Sequence, residues 1–149
     1  MVFYFAYGSN MDEARMRIRN IYYTNVYSGI LRGWKLVFNK IDETLNGAGY
    51  ANIIKSFKDH VEGVIYETDS KSIEKLNKFE GVPKHYEKIN LKVKDKNDNE
   101  IECIVYVANI LMTKEGLKPR KEYLAHLLKG KFYLSVEYHK ILSNVKTID

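Results

Sequence analysis

The chain has 149 residues, 45% hydrophobic and 29% charged, the make-up of one soluble globular domain over residues 1–149 with one sizeable core. No run approaches the roughly 18 apolar residues of a membrane helix, the basic and long apolar segments of a signal peptide are missing, and Cys103 is the only cysteine, so a cytoplasmic location without disulfide or membrane partner is expected. The net charge of +5 permits attraction to nucleic acids or anionic metabolites, but the lysines are spread without a block of five, the pattern of a solvated surface rather than a nucleic-acid face.

In chain order, Val2–Ala6 reads as a strand, apolar on both faces and therefore central. Asn10 or Ser9 caps a short helix through about Arg19, and Glu13 lies three residues after Asn10 as in a capping box. Tyr22–Leu31 and Trp34–Asn39 read as strands joined at Arg32-Gly33, followed by a polar loop over Ile41–Ala48. Tyr50–Ile54 and Val61–Glu67 are two further strands rich in β-branched residues. The period then changes: Ile73, Leu76 and Phe79 are spaced as one face of a helix over Ser70–Glu80, with caps available at Thr68 to Ser70 and a stop at Gly81 and Pro83. Tyr86–Lys94 and Ile101–Ala108 form a hairpin about the polar turn Asp95–Glu100. Pro119 starts a helix carrying Tyr123, Leu124, Leu127 and Leu128, closed by Gly130, and Ser135 caps a last helix with Val136, Ile141 and Leu142. Strands dominate and alternate too sparsely with helices for a doubly wound sheet, so the fold class is α+β around a mixed or barrel-like sheet with a few flanking helices.

Two stretches carry candidate chemistry. In Tyr4-Phe5-Ala6-Tyr7-Gly8-Ser9-Asn10-Met11 a strand runs through a glycine turn into a helix start. The first amides of a helix lack internal partners, so this junction suits a carboxylate, phosphate or oxyanion. Gly8 allows close backbone approach. Read locally, a capped connector is the favoured account of the stretch, and it matches neither a Walker loop nor GxGxxG. In Asn77–Tyr86, Glu80 closes a helix just before Gly81. The negative end of the helix dipole disfavours its charged form, and burial acts the same way, making it a proton acceptor near neutral pH; the plain alternative is a solvated surface glutamate. His60, His85, His126 and His139 are scattered, with no HExxH or CxxC, so no metal or other cofactor is expected. Cys103 alternates with its neighbours as a buried structural residue does, and Ser9 sits in no GxSxG elbow.

Taken together, YGSN at Tyr7–Asn10 and Glu80-Gly81 followed by Tyr86 resemble the γ-glutamylcyclotransferase family, and the likeness extends over Gly63–Thr68, the helix with Tyr123 and Leu134–Leu142. The resemblance implies a compact mixed β-barrel with a cavity. It implies cleavage of a γ-glutamyl amino acid, peptide or amine by cyclising the glutamyl group to 5-oxoproline, with no metal or organic cofactor and a homodimeric assembly. By position, Glu80 matches the acid/base glutamate, Tyr7, Gly8, Ser9 and Asn10 the substrate-holding loop, and Tyr86 and Tyr123 two substrate-contacting tyrosines. Two segments depart from the family pattern, Gly47-Ala48-Gly49-Tyr50-Ala51 and Pro83-Lys84-His85, where the pocket mouth is expected. Two rival readings stand beside the enzyme: a protein of the same fold that binds a γ-glutamyl metabolite without turnover, and a basic nucleic-acid-binding domain.

Overall fold

The computed structural model describes all 149 residues, Met1–Asp149. Its frame is a pair of very long antiparallel strands, β2 (Tyr23–Ile41) and β3 (Gly49–Thr68). Each was expected as two strands. The break read at Arg32-Gly33 is a slip of register within one strand: Arg32 pairs with His60 and Trp34 with Lys55, so residues 56–59 of β3 stand opposite Gly33 alone. Gly33 takes φ +88, the left-handed region open to glycine, so the residue that reads as a turn in sequence acts as a bend in a continuing ribbon. Ile41, expected in the loop, ends β2.

The barrel closes in the order β1-β3-β2-β4-β5, with β1 (Val2–Ala6), β4 (Tyr86–Lys94) and β5 (Glu100–Ala108). All pairings are antiparallel except β1 with β5, which meet at Tyr4 and Ile104 and set β1 between two strands, as its apolar sequence requires. Closure leaves no free sheet edge. Tyr66, Phe5, Ile65, Val64 and Val61 are fully buried in the core.

Four helices flank the barrel: α1 (Glu13–Ile18), α2 (Ser70–Phe79), α3 (Lys121–Leu128) and α4 (Val136–Ser143). α1 is preceded by a 3-10 turn, Ser9–Met11, and its cap is Asp12, which accepts from the Ala14 amide at 3.0 Å, rather than Asn10 or Ser9. Asn10 is withdrawn from capping because its side chain is taken by Tyr4 and Arg19, and Glu13 instead accepts from the Tyr23 hydroxyl. α2 begins as expected, with Asp69 accepting from the Ser72 amide at 2.8 Å. Its Ile73 and Leu76 are buried, and enclosing a side chain such as Leu76 stabilises by about 1.5–3 kcal/mol. Phe79 is half exposed, its ring covered by the Arg19 guanidinium at 4.7 Å. α3 starts two residues after Pro119, and in α4 only Leu142 of the expected apolar set is buried. No helix is long and apolar enough to cross a membrane.

Candidate active site

β1 delivers Tyr7-Gly8-Ser9-Asn10 to one end of the barrel, and tyrosine hydroxyls fix the loop there. Tyr7 donates to the carbonyl of Tyr106 on β5. Tyr66 donates to the Asn10 carbonyl at 2.6 Å. The Asn10 amide donates to the Tyr4 hydroxyl at 3.0 Å and its oxygen accepts from Arg19 at 3.0 Å. Gly8 lies against Ala51 and Tyr123: a Cβ there would meet the Ala51 Cβ and the Tyr123 hydroxyl, each at 3.3 Å. The peptide groups of Ala51 are in turn held by two tyrosines, its N–H donating to Tyr123 Oη at 3.1 Å and its carbonyl accepting from Tyr86 Oη at 2.8 Å. Burial pushes Tyr7, Tyr86 and Tyr123 above the ordinary phenol value, with the Glu80 charge adding to it, so all three remain hydroxyls that can donate.

Glu80 caps the C-terminus of α2, its amide bonded to the Leu76 carbonyl at 2.8 Å. Gly81 follows at φ +63, where a Cβ would strike the His85 ring, so the chain can turn back to β4 immediately after the carboxylate. Glu80, the four residues Tyr7–Asn10, Tyr86 and Tyr123 line a single pocket of about 400 Å³, so every site residue read from the sequence faces one cavity. Burial pushes the Glu80 carboxyl up to about 7, while the nearby charges of Arg19, Arg15 and Lys40 pull it the other way. Its place at the negative end of α2 acts in the same direction as burial.

A family profile described as gamma-glutamyl cyclotransferase, AIG2-like, matches residues 4–126. The chain belongs to that family. A bovine gamma-glutamylcyclotransferase (Bos taurus) is 31% identical over 98% of this chain and 79% of the relative. A human one (Homo sapiens) is 32% identical over the same shares. A solved structure of a gamma-glutamyl cyclotransferase superposes with a TM-score of 0.86 at 28% identity, covering 99% of this chain and 89% of that one.

Within this gamma-glutamyl cyclotransferase barrel, four pocket cations escaped the reading by motif: Arg15, Arg19, Lys40 and the exposed Lys78. A spacing of four beside α1 puts the two arginines on one face, a pattern available in the sequence. Arg15 is held in place by a chain of side chains. Its Nη1 lies 3.3 Å from His126 Nε2, and His126 Nδ1 lies 2.9 Å from Asp12 Oδ2. In the tautomer whose Nδ1–H donates to the Asp12 carboxylate, the Nε2 lone pair accepts from the Arg15 guanidinium. Lys40 had no such sign, because it is one lysine in a long strand. At the mouth, Asp42 accepts from Arg120 Nε at 2.9 Å and from the Thr44 amide at 2.9 Å. Burial raises the Asp42 carboxyl, and the bonds from Thr44 and Arg120 more than reverse this, leaving it below its ordinary value. Of the two departing segments, Tyr50, Ala51 and His85 do line the pocket, while Pro83 and Lys84 are exposed outside it.

Proposed function

We propose that the chain releases 5-oxoproline from a γ-glutamyl amino acid, peptide or amine, with Glu80 as general acid/base. The observation that carries this is the meeting of the Tyr7–Asn10 loop and Glu80 in one pocket. The substrate's α-amino nitrogen attacks its own γ-amide carbonyl carbon, closing a five-membered ring. The amide C–N bond then breaks, leaving 5-oxoproline and a free amine. Glu80 takes the proton from the attacking amine and returns it to the departing nitrogen, so no water is consumed. A carboxyl held at about 7 is suited to both halves of that transfer at neutral pH.

Nucleophile and electrophile belong to one molecule, so the remaining task is to bend the substrate and meet its charges. The amides of Gly8 to Asn10 open the 3-10 turn, whose first N–H groups have no partner within it. They serve the α-carboxylate, the developing oxyanion, or both. The neutral hydroxyls of Tyr7, Tyr86 and Tyr123 face the same space. The same reading carries a single domain, a small-molecule γ-glutamyl substrate, a cytoplasmic location and a homodimer, without nucleic acid or membrane as partner; light scattering in solution tests the dimer.

The deciding experiment measures 5-oxoproline release from a panel of γ-glutamyl amino acids, dipeptides and amines. Glu80→Gln is expected to lower kcat by about 10²–10⁴-fold while substrate still binds. A Glu80→Gln protein as active as wild type sinks the mechanism. Binding without turnover by the wild type would instead mark a metabolite-binding protein.

A further inference from the structure

Glu80 stands at the end of α2, and side-chain hydrogen bonds tie that helix to its surroundings. Ser72 in the first turn accepts from the Tyr22 amide at 2.9 Å, Lys75 in the middle donates to the Asn20 carbonyl at 3.0 Å, and Asn77 near the end accepts from the Tyr106 hydroxyl of β5 at 2.8 Å. None of these bonds reaches the Tyr7–Asn10 loop. Arg19 does. It caps the C-terminus of α1, where its amide bonds the Arg15 carbonyl at 3.0 Å and fixes the base of the side chain. Its Nη1 donates to Asn10 Oδ1 at 3.0 Å, and its Cζ lies 4.7 Å from the centre of the Phe79 ring. Asn10 is held against movement, because its amide nitrogen donates to Tyr4 and its carbonyl accepts from Tyr66. One side chain thus joins a fixed loop to the residue before Glu80.

We propose that Arg19 is a positioning residue for the reaction: its guanidinium sets the end of α2, and with it Glu80, against the loop that holds the glutamyl group. This rests on the γ-glutamyl reading of the pocket and adds a residue to it. The fork of an arginine suits the task, since it donates at one edge while its plane covers a ring. None of the ion pairs of the chain includes Glu80, and among the cations that draw on its charge Arg19 comes before Arg15 and Lys40. The hydroxyls that also feel this charge, those of Tyr4, Tyr7, Tyr86, Tyr106 and Tyr123, are pushed up and stay neutral between pH 5 and pH 9. His85, beyond Gly81, turns to Glu43.

The test follows kcat and KM for γ-glutamyl-alanine between pH 5 and pH 9 in wild type, Arg19→Lys, Arg19→Met and Phe79→Leu. Arg19→Met keeps an unbranched stem over the ring and removes the charge and the fork. Its kcat is expected to fall by about 10–100-fold, the effect of a small misplacement of a reacting group, with KM little changed. Removing a cation disfavours the ionised carboxyl, so the rising limb of kcat/KM moves to higher pH, by about one unit. A smaller active fraction would scale every pH alike and leave the limb in place. Arg19→Lys keeps the limb near its wild-type position and loses part of kcat. Phe79→Leu also loses part of kcat, and in that background Arg19→Met costs less than it does alone. Should Arg19→Met not fold, Arg19→Lys, with wild-type kcat expected to overturn the inference, and Phe79→Leu decide the matter. A limb unmoved in Arg19→Met overturns it, as do losses of Arg19→Met and Phe79→Leu that multiply independently. A loss confined to KM overturns it too, by making Arg19 a holder of substrate. Wild type that releases no 5-oxoproline at any pH overturns the γ-glutamyl reading itself, before any variant is compared.

Discussion

At the floor of the pocket Tyr7 and Tyr86, and behind it Tyr66, each donate a buried hydroxyl to a main-chain carbonyl, of Tyr106, Ala51 and Asn10 respectively. At the mouth, Asp42 with Arg120 and Glu43 with His85 are joined through side chains, two of which are more than a third exposed. A bond to backbone in a dry interior cannot be exchanged for water, so the floor holds one geometry. The open Glu43–His85 pair trades freely with solvent and contributes little, whereas the Asp42 carboxylate is buried and held by Arg120 and Thr44. The loop Tyr7–Asn10 is thus set in the rigid half, and at the mouth only the Asp42 cluster is held as firmly.

Behind the floor a single added carbon has a large effect. Gly63 on β3 faces the end of β1, and a Cβ there would come within 2.4 Å of the Ala6 carbonyl oxygen and 2.9 Å of the Phe5 ring. Neither can withdraw without moving the strand that carries Tyr7 and Gly8. Gly63→Ala is expected to destabilise the fold by about 3 kcal/mol, the upper part of the range for overpacking, and to depress turnover in what remains folded. Urea unfolding measures the first. A variant with wild-type stability and activity would show the floor to be as yielding as the mouth.

Next in size is the cost of keeping Glu80 where it is. Its carboxyl stands at about 7 in the folded chain against an ordinary 4.5, so across that interval the folded protein holds a proton that the unfolded chain has lost. Stability therefore falls as pH rises through this window, and the deficit is complete above it. With allowance for solvent in the pocket, the cost is on the order of 2 kcal/mol. Glu80→Gln has no such dependence, so its advantage over wild type should grow between pH 5 and pH 8. Parallel urea titrations of the two proteins at both values decide it; a constant difference would mean that the carboxyl titrates normally. In the same window kcat/KM of wild type should rise with pH as the base loses its proton.

How much of this was legible in the sequence divides along the same line. The loop Tyr7–Asn10 and the helix ending in Glu80 are local features, set by a glycine turn and by the spacing of Ile73 and Leu76, and both could be read directly. What could not be read depends on closure of the barrel. Arg32-Gly33 carries the residues of a turn, and only pairing with β3 makes it a bend in one strand. Asn10 has the chemistry of a cap, but Tyr4 and Arg19 take its side chain, and Asp12 caps instead. Phe79 fits the apolar period of α2, yet a pocket arginine covers it from outside. Lys40 is the extreme case: it is buried beside the rings of Tyr50 and Tyr86 and within reach of the charges of Glu43, Asp42 and Glu80, a setting that exists only once the barrel, the loop after β2 and α2 have come together.

The smallest expected effect sharpens the contrast most, because it concerns two residues that line the mouth of the pocket and should still be slight. Glu43 and His85 reach each other at 3.7 Å, with the glutamate side chain 58% exposed. A pair this open is screened, and holding two side chains together offsets much of the attraction, so its worth is below about 1 kcal/mol. Glu43→Gln keeps the shape and removes the charge. Its melting temperature should stay within about 2 °C of wild type, as expected for a change of that size in a chain of this length. Its kcat/KM on a γ-glutamyl amino acid should change less than about twofold at physiological salt, because the loss of one solvated charge is screened over about 8 Å. A large loss of stability would assign this pair to the rigid half. A large change in turnover would give this lining residue a role in binding or turnover, and the division between floor and mouth would have to be redrawn through it.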